Sequence, residues 1–323
     1  MAQRVAACLL ACTLTAAGAH AASSAPDYPG KPLRIIVPTP PGGGNDIMAR
    51  LVGQKLNEAW SQSVVVDNRA GAGGAIAMEL AAKAAPDGYT LLLGTTNLTV
   101  LPSMARVEFD PVRDYAPVAL IATASNILLV HPSVGARSLQ ELLALARAKP
   151  GFLNYASGSV ASSTHLAAEL LNSMARVTIT HIPYKGAGPA LINLLAGQVQ
   201  MMFSNPAASA AHVRSGKLRA LAVTSTKRLP DFPELPTMAE AGLAGYEAST
   251  WWGVLAPHRT SATIVTKLNH AIDGAIAAGD ARARIAALGA QPAGGPPEVL
   301  ANVIRTELAK WPRLIKEAGI RLD

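Results

Sequence analysis

IIVPTPPGGGNDIMARLV, Ile35 to Val52, reads as a strand that stops in a proline-glycine turn and runs straight into a helix. Ile35, Ile36 and Val37 favour a strand, and Ile47, Met48, Leu51 and Val52 recur at helical spacing. Between them, Gly42, Gly43 and Gly44 permit positive φ and close approach of a ligand to the main chain, and Asn45 or Asp46 suits an N-cap. In an open α/β sheet, ligands bind beyond the carboxyl ends of the strands, where each strand feeds a helix. The free N–H groups and the positive end of the helix dipole make such a place a site for anions. Gly-Gly-Gly alone is equally compatible with a plain strand-to-helix turn. No Gly-Lys-Ser/Thr follows, which excludes the usual phosphate loop of nucleotide hydrolases.

The same alternation continues outward. Helices are expected over Ile47–Trp60 and Ala75–Ala84, with strands at Ser63–Val66 and Tyr89–Leu93, and this order argues for parallel α/β layers covered on both faces. A second unit follows Tyr115. Its strands are expected at Asn154–Ala156, Thr178–Ile182, Val199–Phe203 and Arg219–Thr224, and its helices at Leu139–Lys149, Ser163–Met174, Pro189–Leu195 and Ala207–Ser215. STWWGVLAP then reads as a strand leading back, and the helices over Ser261–Ala278, Asp280–Leu288 and Glu298–Ala318 have too few strands for a sheet of their own, so they pack on the first unit. The chain therefore forms two α/β lobes, crossing near Val118–Ala122 and returning near Thr250–Leu255, and two crossings make a hinge. The expected division is residues 26–122 plus 250–323 for one lobe and 123–249 for the other.

Two further junctions resemble the first. NYASGSVASSTHLAAELL leads from a strand through Ser157, Ser159, Ser162 and Ser163 into a helix, and HIPYKGAGPALINLL places Gly186, Gly188 and Pro189 at another helix start. Helix heads of this kind in different lobes suggest a cleft that grips an anion from both sides. ASGSVAS fails as a nucleophile elbow, because Ser157 and Ala161 stand where Gly-x-Ser-x-Gly requires glycine. A secreted α/β serine hydrolase using Ser159 or Ser162 with His165 is nevertheless the alternative from another class, and a ligand sensor for a membrane signalling partner is a third. The seven histidines show no ligand spacing, so no metal is expected. GAGGAIA has Ile76 at the third glycine place of a dinucleotide fingerprint, and no cofactor is expected either. Trp251 and Trp252 on the returning strand fit core packing better than ligand stacking.

Composition supplies the address. Among 323 residues, 50% are hydrophobic and 15% charged, which excludes a disordered chain and provides for a substantial core. Arg4, the apolar run Val5 to Ala17 and Ala19-His20-Ala21 make residues 1–21 a signal peptide cut near Ala21, too short in its apolar part to span a bilayer. Cys8 and Cys12 both lie inside it, so no thiol or disulfide is expected in the exported chain. The formal charge of +7 becomes +6 without Arg4, and with the basic residues scattered and aromatics at 4%, a nucleic-acid surface is not indicated.

Taken in order, YPGKPLRIIVPTPPGGGNDIMAR, VVVDNRAGAGGAIA, APDGYTLLLGTT, FDPVRDYAPVALIA, YASGSVASSTHLAAEL, HIPYKGAGPALINLLAGQV, GKLRALAVTS, PTMAEAG and WWGVLAP resemble the periplasmic receptors of tripartite tricarboxylate transporters, the Bug-type receptors, over nearly all of the mature chain. The resemblance implies a two-lobed, type II-like Venus-flytrap fold with no catalysis of its own. It implies a monomer that encloses a small organic carboxylate and hands it to the permease subunits in the membrane. Carried over by position, it points to Thr39, Gly42, Gly43, Gly44, Asn45 and Asp46 in the first loop and Thr96 and Asn97 after the third strand. In the second lobe it points to Ser157, Ser162, Ser163 and His165, and to Ser204 and Asn205. The chain departs from the family pattern at Ser159-Val160-Ala161, where a Gly-Asn-Gly-like turn is common.

Overall fold

The computed structural model describes residues 28–321; the expected signal peptide and both cysteines lie outside the described residues. The first unit runs β1 (Leu33–Val37), α1 (Gly44–Trp60), β2 (Val64–Asn68), α2 (Ala75–Ala82), β3 (Thr90–Thr95), the single turn α3 (Asn97–Val100) and β4 (Tyr115–Ala124). The second continues with β5 (Ile127–Val130), α4 (Leu139–Ala148), β6 (Asn154–Ser157), α5 (Ser163–Ala175), β7 (Thr180–Pro183), α6 (Ala187–Leu195), β8 (Met201–Ser204), α7 (Pro206–Arg214) and β9 (Arg219–Val223). The chain closes with β10 (Thr250–Pro257), α8 (Ala262–Ala277), α9 (Gly279–Ala287), the short β11 (Gln291–Pro292) and α10 (Pro297–Glu317).

These strands form two sheets, in the orders β11-β4-β10-β3-β1-β2 and β7-β6-β8-β5-β9. Both are mixed, where the alternation of elements argued for parallel layers. β1 pairs parallel with β2 and β3, but the returning β10 lies antiparallel between β3 and β4. In the second sheet, β6 is parallel to β7 and β8, whereas β5 is antiparallel to β8 and β9. The cause is the double passage between sheets: a strand that leaves one lobe or re-enters it runs against its neighbours, with no crossover helix to reverse it.

The first passage is Ser125–Asn126, just past the expected Val118–Ala122, which sits inside β4. Thr224, at the start of the second passage, donates its N–H to the Asn126 carbonyl (2.9 Å), while its hydroxyl accepts from the Asn126 N–H (2.8 Å). The two crossings are thus stitched to each other.

Apolar faces explain the layers. Met48, Leu51, Val52 and Leu56 of α1 pack with Leu268 and Ile272 of α8 on one face of the first sheet. Met78 of α2 and Leu300 and Ile304 of α10 cover the other. Leu166, Leu170 and Leu171 of α5 and Leu139, Leu142 and Leu143 of α4 pack on the second sheet around Tyr155 and Phe203. The expectation that the last helices all pack on the first unit holds for α8 but only for half of α10. Its distal residues Trp311, Leu314 and Ile315 join the core of the second sheet. At about 1.5 Å rise per residue, a helix of this length reaches on the order of 30 Å, enough to touch both cores.

Candidate functional site

Helix α1 begins at Gly44 with Gly43 as its N-cap, not Asn45 or Asp46, so those two side chains fall in the first turn and are released from capping. Of the three glycines only Gly42 takes a positive φ, 88°, and a Cβ at Gly42 or Gly43 would meet nothing within 4 Å. The turn's conformation therefore requires one glycine, and the other two leave the main chain open to solvent. The amides of Gly44, Asn45 and Asp46 have no acceptor within the helix. The loop is fixed from beneath, because Asn68 donates from Nδ2 to the Thr39 carbonyl at 3.0 Å.

Asp46 is buried, and its Oδ2 accepts from the Gly42 N–H and from Arg50 Nε, both at 2.9 Å. The Arg50 guanidinium holds this carboxyl below the usual carboxylate range, so it is ionised at neutral pH. A negative charge already occupies the positive end of α1.

The second helix head is built differently. Ser162 is the N-cap of α5, its hydroxyl accepting from the His165 N–H (3.3 Å) and donating to the Ser159 carbonyl (2.8 Å). Ser163 follows as the first helical residue, half-buried, and no acidic residue stands in the first turn. The preceding turn is held from below by His165, whose Nδ1 accepts the Ala161 N–H at 2.9 Å. Its ring stacks on His181, with centroids 3.9 Å apart and 12° between planes, and His181 stacks in turn on Tyr155. Burial, reinforced by the His181 ring, pushes the His165 imidazole down to about 4, so it is neutral and free to accept.

Ala161 adopts the left-handed conformation, φ 59°. That conformation costs about 1–2 kcal/mol for an L-residue. Ala161→Gly is expected to raise stability by up to about 1 kcal/mol in urea denaturation, the gain being limited by glycine's larger unfolded-state entropy. A fall in stability would mean that the turn differs in solution.

The two heads meet. A cleft of about 180 Å³ is lined by Asn45 from α1, Thr95, Thr96 and Asn97 after β3, Ala161, Ser163 and Leu166 from the α5 side, and Thr250 and Trp252 of β10. Of the residues expected from the sequence, Asn45, Thr96, Asn97 and Ser163 come together here. Asp46 and His165 stand behind this lining as supports. Among the described residues, the buried hydroxyls of Thr39 and Thr96 and Oδ1 of Asp46 have no partner, all three near the carboxyl ends of β1 and β3.

Ser157, Ser204 and Asn205 are committed elsewhere. Ser157 is fully buried; its hydroxyl donates to the Ser159 carbonyl (2.9 Å) and stands 2.6 Å from His181 Nε2. Ser204 is buried at the end of β8. Asn205 caps α7 through the Ala207 N–H (2.9 Å) and donates to the Leu288 carbonyl (3.2 Å), a contact between the two halves. The hydrolase pairing also fails to form, because neither Ser159 nor Ser162 bonds the His165 ring, whose Nδ1 is taken by Ala161. Ser157 stands against His181 and not His165, and its hydroxyl also reaches the Ser159 carbonyl, so this buried contact is not one of the expected pairs.

The sequence reading missed Thr95, Ala161, Leu166, Thr250 and Trp252 as site residues. Trp252 donates from Nε1 to Asn45 Oδ1 at 2.7 Å, which fixes both side chains at the cleft. Neighbours on a strand point to opposite faces, and Trp251 accordingly donates to Glu307 Oε2 (2.7 Å) on the α10 side. The Trp-Trp pair was the available signal, since one of the two had to face the cleft. A larger cavity of about 550 Å³ lies on Trp251's side, at the hinge. Its lining contains Glu247 and Glu307 beside Lys227, a poorer match for an anion.

A family model described as the tripartite tricarboxylate transporter family receptor matches residues 48–320. Protein BugT of Bordetella pertussis is 38% identical over 312 residues, covering 96% of this chain and 96% of that protein. A solved structure of R. palustris Rpa4515 with adipate superposes with a TM-score of 0.73 at 37% identity, covering 91% of this chain and 99% of that one. MatC from Rhodopseudomonas palustris with bound malate gives a TM-score of 0.71 at 32% identity, covering 89% and 100%.

Proposed function

The chain belongs to the tripartite tricarboxylate transporter receptor family, and from that premise we propose that it captures a small organic carboxylate in the cleft between its two sheets and delivers it to the membrane permease of such a transporter. The lobes of this reading are residues 26–122 with 250–323 and residues 123–249, the end of α10 strapped across onto the second. The protein acts as a monomer, performs no chemistry on its ligand, and is periplasmic after cleavage near Ala21. Among the described residues, no helix is long and apolar enough to cross a membrane.

One observation carries the reading: the heads of α1 and α5, from different sheets, face one cleft lined by neutral donors. Of the expected ligand residues, Asn45, Thr96, Asn97 and Ser163 touch the ligand in this proposal, the main chain at Gly43 and Gly44 supplies amides, and Gly42, whose N–H is taken by Asp46, joins Thr39, Asp46, Ser162 and His165 in holding those groups in place. Hydrogen bonds to a charged group contribute about 1.5–3 kcal/mol each, so three or four reach the ~8 kcal/mol of micromolar binding without an arginine. The test is thermal denaturation with malate, adipate, hexanoate and benzoate. At least one acid at a hundredfold excess over its Kd should add about 2.7 kcal/mol of stability and raise Tm, while a panel of esters is not turned over. Ester hydrolysis abolished by Ser159→Ala or Ser162→Ala would replace this reading with the enzymatic one.

A further inference from the structure

Resting on the receptor reading above, the geometry points to a monocarboxylate with a compact apolar body as the preferred ligand of this cleft, over di- and tricarboxylates. Charge is counted first. The α1 head already holds the Asp46 carboxylate, and Arg50, which partners it, has a side chain 53% exposed and its Nε engaged on Asp46. The α5 head carries no acidic residue in its first turn. One uncompensated helix terminus therefore faces the cleft, and no Lys, Arg or His side chain lines it. His165, the nearest imidazole behind the lining, is neutral and spends Nδ1 on the Ala161 amide. A second carboxylate drawn into the same space would meet Asp46 without a counter-charge, and an unpaired buried charge is strongly disfavoured.

The rest of the cleft is suited to carbon. Leu166 and Ala161 present aliphatic groups, and Trp252 presents an indole whose orientation is locked by its bond to Asn45. Thr96, only 7% exposed, belongs to the same lining, and its buried hydroxyl has no partner among the described residues. The acid group takes its polar contacts from the amides of the helix heads, with the Thr96 hydroxyl an unpaired polar group beside them. The volume of about 180 Å³ admits one small ring or short chain.

Hexanoate and adipate are a matched pair, differing only in a terminal methyl against a second carboxylate. Calorimetric titration of the purified chain should find hexanoate tighter by about tenfold or more, with benzoate also binding. Adipate binding as tightly as hexanoate, or more tightly, would overturn the monocarboxylate preference and leave the receptor intact. Failure of hexanoate, adipate, benzoate and malate alike would remove the receptor reading itself. Asn97→Lys adds a cation at the rim from an exposed position. It should move the hexanoate-to-adipate ratio toward adipate, and an unchanged ratio would overturn the charge count.

Discussion

Ser163→Trp is expected to abolish carboxylate binding, with a loss of affinity of about a hundredfold or more, equivalent to ~2.7 kcal/mol. Ser163 lines the cleft, is half-buried, and its hydroxyl makes no hydrogen bond among the described residues. The N-cap contacts belong to its neighbour Ser162, so the helix start survives the exchange. An indole added here fills a cleft of about 180 Å³ from the α5 side and covers the amides of that helix head. The position is the first of the helix, where side-chain replacements cost little, and unfolding free energy should change by less than about 1 kcal/mol. Calorimetry with whichever acid the wild type binds, paired with urea denaturation, measures both. Unimpaired binding would place the ligand elsewhere.

Acidification from pH 6.5 to 4 is expected to remove about 3 kcal/mol of folding stability through His165 alone. The unfolded chain takes up a proton on this ring near the ordinary histidine value of 6.5, the folded chain only near 4. Within that window the unfolded state holds more protons, so stability is complete above pH 6.5 and falls as the pH falls. His181, also lowered by burial, acts in the same direction. The groups facing the stacked pair are Tyr155, Ser157 and, through the Tyr155 hydroxyl, Glu169. Asp46 is lowered below its ordinary value of 3.8, and its contribution fades below this window. Protonating Nδ1 also takes the acceptor from the Ala161 N–H and loosens the turn that lines the cleft. Urea denaturation at pH 7, 5.5 and 4 for wild type and His165→Gln, which keeps an acceptor but cannot titrate, isolates the effect. Parallel curves for the two proteins would show that the ring is already protonated or exposed in solution.

Glycine, serine and proline punctuation carried much of this architecture on its own. The strand-turn-helix at Ile35 to Val52, the serine-led start of α5 and the glycine-led start of α6 are local events, set by which residues tolerate a turn, cap a helix or alternate along a strand. Element ends accordingly fell within a few residues of expectation, and the helix heads that meet at the cleft were already marked. Direction and company were not local. The antiparallel course of β10, the reach of α10 into the second core and the choice of Trp252 over Trp251 for the cleft depend on which surfaces the folded chain brings together.

The site divides in the same way. That Asn45, Thr96, Asn97 and Ser163 belong near an anion could be read from their place at strand ends and helix starts. Whether a given hydroxyl or amide is available could not, because availability is what remains after neighbours have taken their hydrogen bonds. Ser157 is spent on Ser159 and lies against His181, Ser162 is spent as a cap, Asn205 is tied to Leu288, and Asp46 is tied to Gly42 and Arg50. Sequence fixes which groups exist and where along the chain they sit. Packing decides which of them are left unpaired at a shared surface, since a buried polar group bonds whatever lies within about 3 Å, however distant in the chain.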